Sequence, residues 1–182
     1  VAAASPLPVF IYNIPSIVGV TIEPETVARL ADIEKIVGIK DSSGDLDYFT
    51  RIAEASKRRD DWTRLVGIEL DLVAAVERGA DCCIGAGANV WPRNLVDVYE
   101  SAAAGRSADA ARFAGQQAEL MEICKFGELF SGMLRGLKAA LEQMQICGAA
   151  LAPPHYGCNA EQKKFIRQRL EELGLLSHVP AE

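Results

Sequence analysis

The sequence predicts an α/β fold with a parallel sheet, because four short apolar segments alternate with four segments of helical periodicity. Each apolar segment is followed by a glycine-rich or turn-rich stretch, as expected where a strand ends in a loop. Beyond residue 105 the alternation gives way to helical spacing alone. This pattern is typical of doubly wound folds and of (βα)8 barrels, in which helices cover a parallel sheet.

The composition is that of one globular domain that binds a small ligand. Its 182 residues are 49% hydrophobic and 24% charged, which is enough to bury a core. The net charge of −6 disfavours nucleic acid and anionic membranes as partners. No apolar run reaches the roughly 18 residues that span a bilayer, and the first residues do not resemble a signal peptide. We therefore expect a cytoplasmic protein.

The cysteines and histidines give no sign of a metal site. Five cysteines are present without a CxxC pair, and the chain has only two histidines. We interpret the cysteines as reduced thiols that act as small hydrophobic residues, and we expect no bound metal. The cysteines are Cys82, Cys83, Cys124, Cys147 and Cys158, and the histidines are His155 and His178.

The first βα unit starts with a β-branched and aromatic strand at residues 8–12, followed by Asn13-Ile14-Pro15. A helix should begin near residues 21–25, where Pro24 suits a first turn. Its predicted apolar stripe consists of Val27, Leu30, Ala31 and Ile33.

Three further units follow in the same pattern. The second has a strand at residues 36–40 and a helix that continues to about residue 57. The third has a strand at residues 65–68 and a helix at residues 70–78. A last strand at residues 81–85 precedes a helix that starts after Trp91-Pro92.

The remainder of the chain is predicted to be helical. Residues 107–148 have helical spacing, Pro153-Pro154 interrupts them, and residues 160–174 form a last helix ended by Gly174. We therefore divide the chain into four βα units at residues 1–105 and a helical extension at residues 106–182. A (βα)8 barrel needs about 250 residues, so either the sheet is open and four-stranded or four more strands come from elsewhere.

Lys40 is the strongest candidate for chemistry, since lysine is unusual at the end of an apolar strand. Desolvation there would favour a neutral amine, which can attack a ketone and form an imine. The alternative is that Lys40 emerges from the strand and pairs with Asp41 or Asp45.

Tyr12 lies 28 residues before Lys40, which is one βα unit, so both side chains can face one small space at the carboxyl ends of neighbouring strands. Its hydroxyl could equally bond a backbone group. Residues 41–45 could cradle a carboxylate, or could simply form a turn that caps the next helix. The chain has no nucleotide fingerprint and no catalytic triad.

Three motifs in this order resemble the dihydrodipicolinate synthase and N-acetylneuraminate lyase family. They are Tyr12-Asn13-Ile14-Pro15, Gly38-Ile39-Lys40-Asp41-Ser42-Ser43-Gly44-Asp45 and Gly85-Ala86-Gly87-Ala88-Asn89. The resemblance implies a (βα)8 TIM barrel whose strands five to eight lie in residues 1–105. It also implies a C-terminal helical extension in residues 106–182. The missing N-terminal half of the barrel is then expected as a further partner.

By the same resemblance, Lys40 would form the imine and Tyr12 would relay protons and contact the bound keto acid. The reaction would be that of a class I aldolase or lyase that makes or breaks a carbon–carbon bond beside pyruvate, with an aldehyde as the other substrate. No metal or organic cofactor is implied. Family members are often homotetramers, so we expect a homo-oligomer.

Four other residues are expected to bind substrate, the first three by the resemblance and Ser42 because of its hydroxyl. The backbone of Ile84 would line the pyruvate pocket, and Gly67 and Glu69 would contact a hydroxylated tail. Ser42 would supply a hydrogen bond to neutral hydroxyls. Ile17 departs from the pattern, because dihydrodipicolinate synthases carry an arginine there for the carboxylate of their aldehyde substrate.

We therefore expect an enzyme of the 2-keto-3-deoxy sugar-acid aldolase type. Dihydrodipicolinate synthase activity, from pyruvate and aspartate semialdehyde, is one alternative. The family's threonine pair belongs to the first half of the barrel and has no counterpart in this chain. A catalytically incomplete fragment or assembly piece is therefore the second alternative.

Overall fold

The structure is a computed structural model that describes residues 1–127 and 129–176. One four-stranded sheet has the order β1-β2-β3-β4, and every neighbouring pair is parallel. The predicted α/β class with a parallel sheet is therefore confirmed. The strands are β1 (Val9–Asn13), β2 (Ile36–Asp41), β3 (Thr63–Val66) and β4 (Cys82–Cys83).

Helices follow each strand, and 3-10 turns and loops make up the rest of the described chain. In chain order they are α1 (Pro15–Val18), α2 (Pro24–Ala31), α3 (Leu46–Ser56), α4 (Leu72–Glu77), α5 (Pro92–Ala103), α6 (Ser107–Met121), α7 (Leu129–Gln143) and α8 (Ala160–Glu172). Every helix within the described ranges is too short or too polar to cross a membrane.

Two of the predicted strands and one helical stripe differ from the structure. The third strand ends at Val66, because the chain turns at Ile68 into the 3-10 turn Glu69–Asp71. The fourth strand, predicted at residues 81–85, has only the two residues of β4 (Cys82–Cys83), although the Ile84 amide still donates to Val66 O at 3.0 Å. The stripe of α2 stops at Ala31 where the helix ends, so Ile33 is exposed and does not belong to it.

Contacts group the chain into two compact units, and the first comprises Val1–Gly85 with Val98–Ala111. Its core contains large apolar side chains from the sheet and the helices that cover it, which removes their surface from water. Asp45 starts α3 by accepting a hydrogen bond from Tyr48 N at 2.8 Å. The largest fully buried side chains in this core are Ile39, Phe49, Ile52, Trp62 and Leu72.

The second unit comprises Ala86–Asp97 with Arg112–Glu182, and its regular elements within the described ranges are helices. The stretch predicted as helical at residues 107–148 is interrupted, because the 3-10 turn Glu122–Cys124 separates α6 from α7. Helix α8 begins with a capping box between Asn159 and Gln162. Gly174 follows it with φ +70°, as the predicted end of the last helix requires. The predicted division into four βα units at residues 1–105 and a helical extension at residues 106–182 stays a prediction.

The sheet is open within the described ranges, with β1 at one edge and β4 at the other. Along β1 burial alternates, so that Phe10 and Tyr12 remain 46% and 48% exposed on one face. Ile84, just beyond β4, is 53% exposed. One face of the sheet is therefore covered by helices, and the other presents large apolar side chains.

Candidate active site

Tyr12 and Lys40 meet at the carboxyl ends of β1 and β2. They are directly paired in the parallel register, so both side chains leave the sheet on the same face. Lys40 Nζ donates to Tyr12 Oη at 3.4 Å and lies 4.5 Å from the centre of the Tyr12 ring. The ring and hydroxyl together give the amine an aromatic and a polar neighbour. The spacing of one βα unit thus does bring the two groups together.

Ser42 joins the same cluster from the end of β2. Its hydroxyl donates to Tyr12 Oη at 3.3 Å, and its side chain is mostly buried. Gly67 makes room for it, because a Cβ at position 67 would lie 1.9 Å from Ser42 Oγ and 2.9 Å from Lys40 Cε. Gly67 therefore forms the wall against which Lys40 and Ser42 rest.

Glu69 lies in the 3-10 turn after β3 and is only 5% exposed. Its carboxylate covers Gly85, where a Cβ would approach Glu69 Oε2 to 2.0 Å. The nearby Cys83 thiol has its pKa raised to about 12, first by burial and then by the charge of Glu69, while Lys40 opposes the shift. A buried carboxylate therefore stands at the ends of β3 and β4, on the same edge of the sheet as Lys40.

A second cross-strand pair stands directly after the first, and the sequence did not single it out. Asn13 and Asp41 are paired in register, and they are 1% and 3% exposed. Asn13 Nδ2 donates to Asp41 Oδ1 at 2.7 Å. Burial raises the pKa of the Asp41 carboxyl, the hydrogen bonds from Asn13 and Ser43 oppose this shift, and Asp45 adds to it. A polar residue at the end of each strand was the only signal available.

The turn at residues 41–45 caps the next helix, as one of the two alternatives predicted. Asp45 caps α3, and Asp41 binds Asn13 and Ser43, so neither carboxylate pairs with Lys40. Carboxylate binding by this turn stays a prediction. An open cleft of about 420 Å³ beside the turn does not include Tyr12 or Lys40. It is lined by Pro15, Thr21, Glu23, Ser43, Asp45, Tyr48 and Arg51.

These features define a class of protein. Parallel βα units carry a lysine and a tyrosine together at the carboxyl ends of neighbouring strands, which is where α/β barrels carry their active sites. The model of the Dihydrodipicolinate synthetase family matches residues 1–173, and the chain belongs to this family.

Individual relatives agree with this assignment. The chain is 34% identical over 178 residues to a 4-hydroxy-tetrahydrodipicolinate synthase of Methanopyrus kandleri, covering 97% of this chain and 57% of that protein. The dihydrodipicolinate synthase structure from Bacteroides thetaiotaomicron superposes with a TM-score of 0.87 at 31% identity, covering 92% of this chain and 56% of that one. The Thermotoga maritima structure gives 0.85 at 26% identity, covering 96% and 59%.

The chain thus spans somewhat more than half the length of the relatives it matches. Its fold is that of part of a (βα)8 barrel, with a helical region after the four βα units.

Proposed function

We propose that this chain carries the imine-forming lysine of a class I aldolase or lyase that acts beside pyruvate, without a metal or organic cofactor. The observation that carries the proposal is the pairing of Lys40 with Tyr12, whose Nζ and Oη lie 3.4 Å apart. A family relationship covering residues 1–173 supports the same reaction class.

In the proposed mechanism, Lys40 Nζ attacks the ketone carbon of pyruvate as a neutral amine and expels water to form an imine. The protonated imine accepts the electron pair when the carbon–carbon bond at the adjacent carbon breaks or a proton leaves that carbon. The resulting enamine returns the pair when it takes up a proton or attacks the aldehyde. Tyr12 Oη contacts Nζ and can pass protons to and from the reacting groups. Ser42, which donates to the same oxygen at 3.3 Å, extends this relay away from the imine.

Catalysis requires the open face of the sheet to be covered. Tyr12 is 48% exposed and the edges of β1 and β4 have no neighbouring strand within the described ranges, so water would compete at the imine. We propose that four further βα units close the barrel, supplied by the same polypeptide or by a second one. Assembly into a homotetramer and a cytoplasmic location are part of this proposal.

For the second substrate we propose a hydroxylated aldehyde, as in cleavage of 2-keto-3-deoxy sugar acids. Ile17, in α1, cannot offset the desolvation of a second carboxylate as a guanidinium would. Glu69, buried at the end of β3, would repel that carboxylate. In this proposal Glu69, Ser42, Gly67 and the Ile84 backbone contact the substrate.

The names of the relatives support a second candidate. The Methanopyrus kandleri and Roseobacter denitrificans proteins are both called 4-hydroxy-tetrahydrodipicolinate synthase, at 34% and 30% identity. By that analogy, aspartate semialdehyde would be the aldehyde, and an arginine from outside this chain would replace the one missing at position 17.

Borohydride trapping tests the reaction class. Pyruvate and borohydride added to the complete protein should leave a reduced adduct on Lys40, and Lys40→Ala should abolish it. Lys57 is the control lysine. It lies on the surface and pairs with Glu54 rather than with a tyrosine hydroxyl, so it should not form the adduct. Peptide mapping that locates the adduct on Lys57 or another lysine would overturn the assignment.

A comparison of kcat/KM distinguishes the two substrates. We expect cleavage of 2-keto-3-deoxygluconate to exceed condensation of pyruvate with aspartate semialdehyde by at least about tenfold, the factor that corresponds to 1.4 kcal/mol. A preference for the semialdehyde would select the second candidate and leave the chemistry of Lys40 unchanged.

A further inference from the structure

Two cross-strand pairs stand one residue apart on opposite faces of the sheet. Tyr12 pairs with Lys40, and the next residues, Asn13 and Asp41, pair with each other. Successive side chains of a strand point to opposite faces, so the polar pair lies behind the paired amine and hydroxyl. Any change in the alignment of the second pair is therefore transmitted directly to the first.

The second pair is the centre of a buried polar cluster, which we call the Asn13–Asp41 clamp and define as Asn13, Asp41 and Ser43. Asn13 Nδ2 donates to Asp41 Oδ1 at 2.7 Å, and Ile22 N donates to Asn13 Oδ1 at 3.0 Å. Ser43 donates twice to Asp41, from N at 3.2 Å and from Oγ at 2.8 Å. The clamp thus joins β1, β2 and the segment that leads into α2.

This cluster has the properties of a register device. A slip of one residue would place Asn13 beside Lys40 or Ser42 and leave buried donors and acceptors unpaired. A buried carboxylate is an expensive way to stabilise a sheet, since apolar residues of similar volume often do so equally well. The hydrogen-bonded cluster differs from such apolar residues in fixing one geometry, rather than in adding stability.

We propose that Asn13 and Asp41 are positioning residues, whose buried amide–carboxylate bond aligns β1 with β2 and so holds Tyr12 Oη within reach of Lys40 Nζ. The inference rests on the proposed imine chemistry and concerns how that site is held. The Nζ to Oη distance of 3.4 Å is already near the limit of a hydrogen bond, so a small shift of either strand breaks it.

Asn13→Asp provides the sharpest test, because it replaces the amide that donates to Asp41 with a second carboxylate, which repels the first. In the complete protein, the rate of borohydride trapping at saturating pyruvate should fall by about 10- to 100-fold at neutral pH, the range expected for misplacement by up to an ångström. The KM for pyruvate should change far less. The ratio of variant to wild-type rate should recover as the pH falls and the facing carboxylates share a proton.

Two further variants establish that the pairing itself is responsible. The double variant Asn13→Asp/Asp41→Asn restores one amide facing one carboxylate with their roles exchanged. Because Ser43 N, which donates to Asp41 Oδ1, would then face an amide nitrogen, the variant should recover part of the trapping rate at neutral pH. Asn94→Asp is the matched control, because Asn94 is equally buried and its Nδ2 donates to Gln117 Oε1 at 2.8 Å in the helical unit. It should lower the free energy of unfolding without slowing trapping at Lys40.

The outcomes separate this inference from the proposed function. No adduct on Lys40 of the wild-type protein would overturn both. A Lys40 adduct that forms equally fast in the wild type and in Asn13→Asp, or no recovery in the folded double variant, would overturn the clamp alone. If circular dichroism shows that Asn13→Asp does not fold, Asn13→Gln replaces it. That variant keeps the amide but displaces it by one methylene, and an unchanged trapping rate would again exclude the clamp.

Discussion

At the scale of single residues, two glycines beyond the ends of β3 and β4 give space to functional side chains. Gly67 lies against Ser42 Oγ and Lys40 Cε, and Gly85 lies against the Glu69 carboxylate. Neither has a positive φ, so the space that a side chain would fill is the reason for glycine at both positions. Their value to the site is therefore steric and can be tested by adding one methyl group.

Gly67→Ala should displace Lys40 and Ser42 and slow borohydride trapping with pyruvate by about tenfold or more. Its Cβ would lie 1.9 Å from Ser42 Oγ, too close for either side chain to stay in place. Gly115→Ala is the control, because a Cβ there meets nothing within 4 Å and alanine favours α6. An unchanged trapping rate in Gly67→Ala would mean that Lys40 does not act from its position in this structure.

Asp41 gives the molecule a predictable pH dependence. Its pKa is raised in the folded state, so the ionised form opposes folding. This cost is absent below the unfolded pKa of about 3.9 and is fully present above the folded value. The side chain of Asp41→Asn is neutral at every pH. As the pH rises through the window just above 3.9, the free energy of unfolding of the wild type should therefore fall relative to that of the variant. Urea unfolding of both proteins across that window measures the difference in their free energies of unfolding. A wild type that becomes more stable relative to the variant as the pH rises would contradict the prediction.

The candidate site was only partly predictable from the sequence, for reasons that the residues make clear. The 28-residue separation of Tyr12 and Lys40 is one βα unit, so their proximity followed from the order of the strands. The clamp did not follow, because Asn13 and Asp41 look like ordinary loop residues until the sheet register and burial are known. Ser42 was expected to contact substrate, but its hydrogen bond to Tyr12 became apparent only in the structure.

At the scale of elements, the sequence predicted which segments are strands and helices better than where they end. The hydrophobic run of β2 was sufficient to identify it, because both faces of a parallel strand are normally covered. Ends depend on hydrogen-bonding partners that lie far away in sequence, so β4 has only two residues and β3 stops where the 3-10 turn begins. Helical spacing alone likewise missed the break between α6 and α7, which is set by packing within the helical unit.

At the scale of the whole molecule, the open face of the sheet is the feature that a closed barrel would change most. Tyr12, Lys40, Leu65 and Cys82 form one continuous row of register partners across the four strands, so they share a face. The interior of a (βα)8 barrel is filled by the inward-pointing side chains of its strands, stacked in layers to which alternate strands contribute. The proposed closure would therefore bury Cys82, which is exposed on β4.

Alkylation of Cys82 by N-ethylmaleimide therefore reports whether the barrel is closed. Cys147, which is also exposed but lies in the helical unit after α7, is the internal control. Each rate is divided by the rate of the same cysteine in the unfolded protein, which removes differences set by local sequence. Both rates are measured in a Lys138→Gln background, because Lys138 Nζ lies 3.7 Å from the Cys147 sulfur in the folded protein and would change its reactivity. In the native protein that supports trapping at Lys40, Cys82 should then react at least about tenfold more slowly than Cys147, because it becomes accessible only when the barrel opens locally. Equal normalised rates in material that still forms the Lys40 adduct would show that the imine forms on an open sheet, and would rule out barrel closure as a requirement for the chemistry.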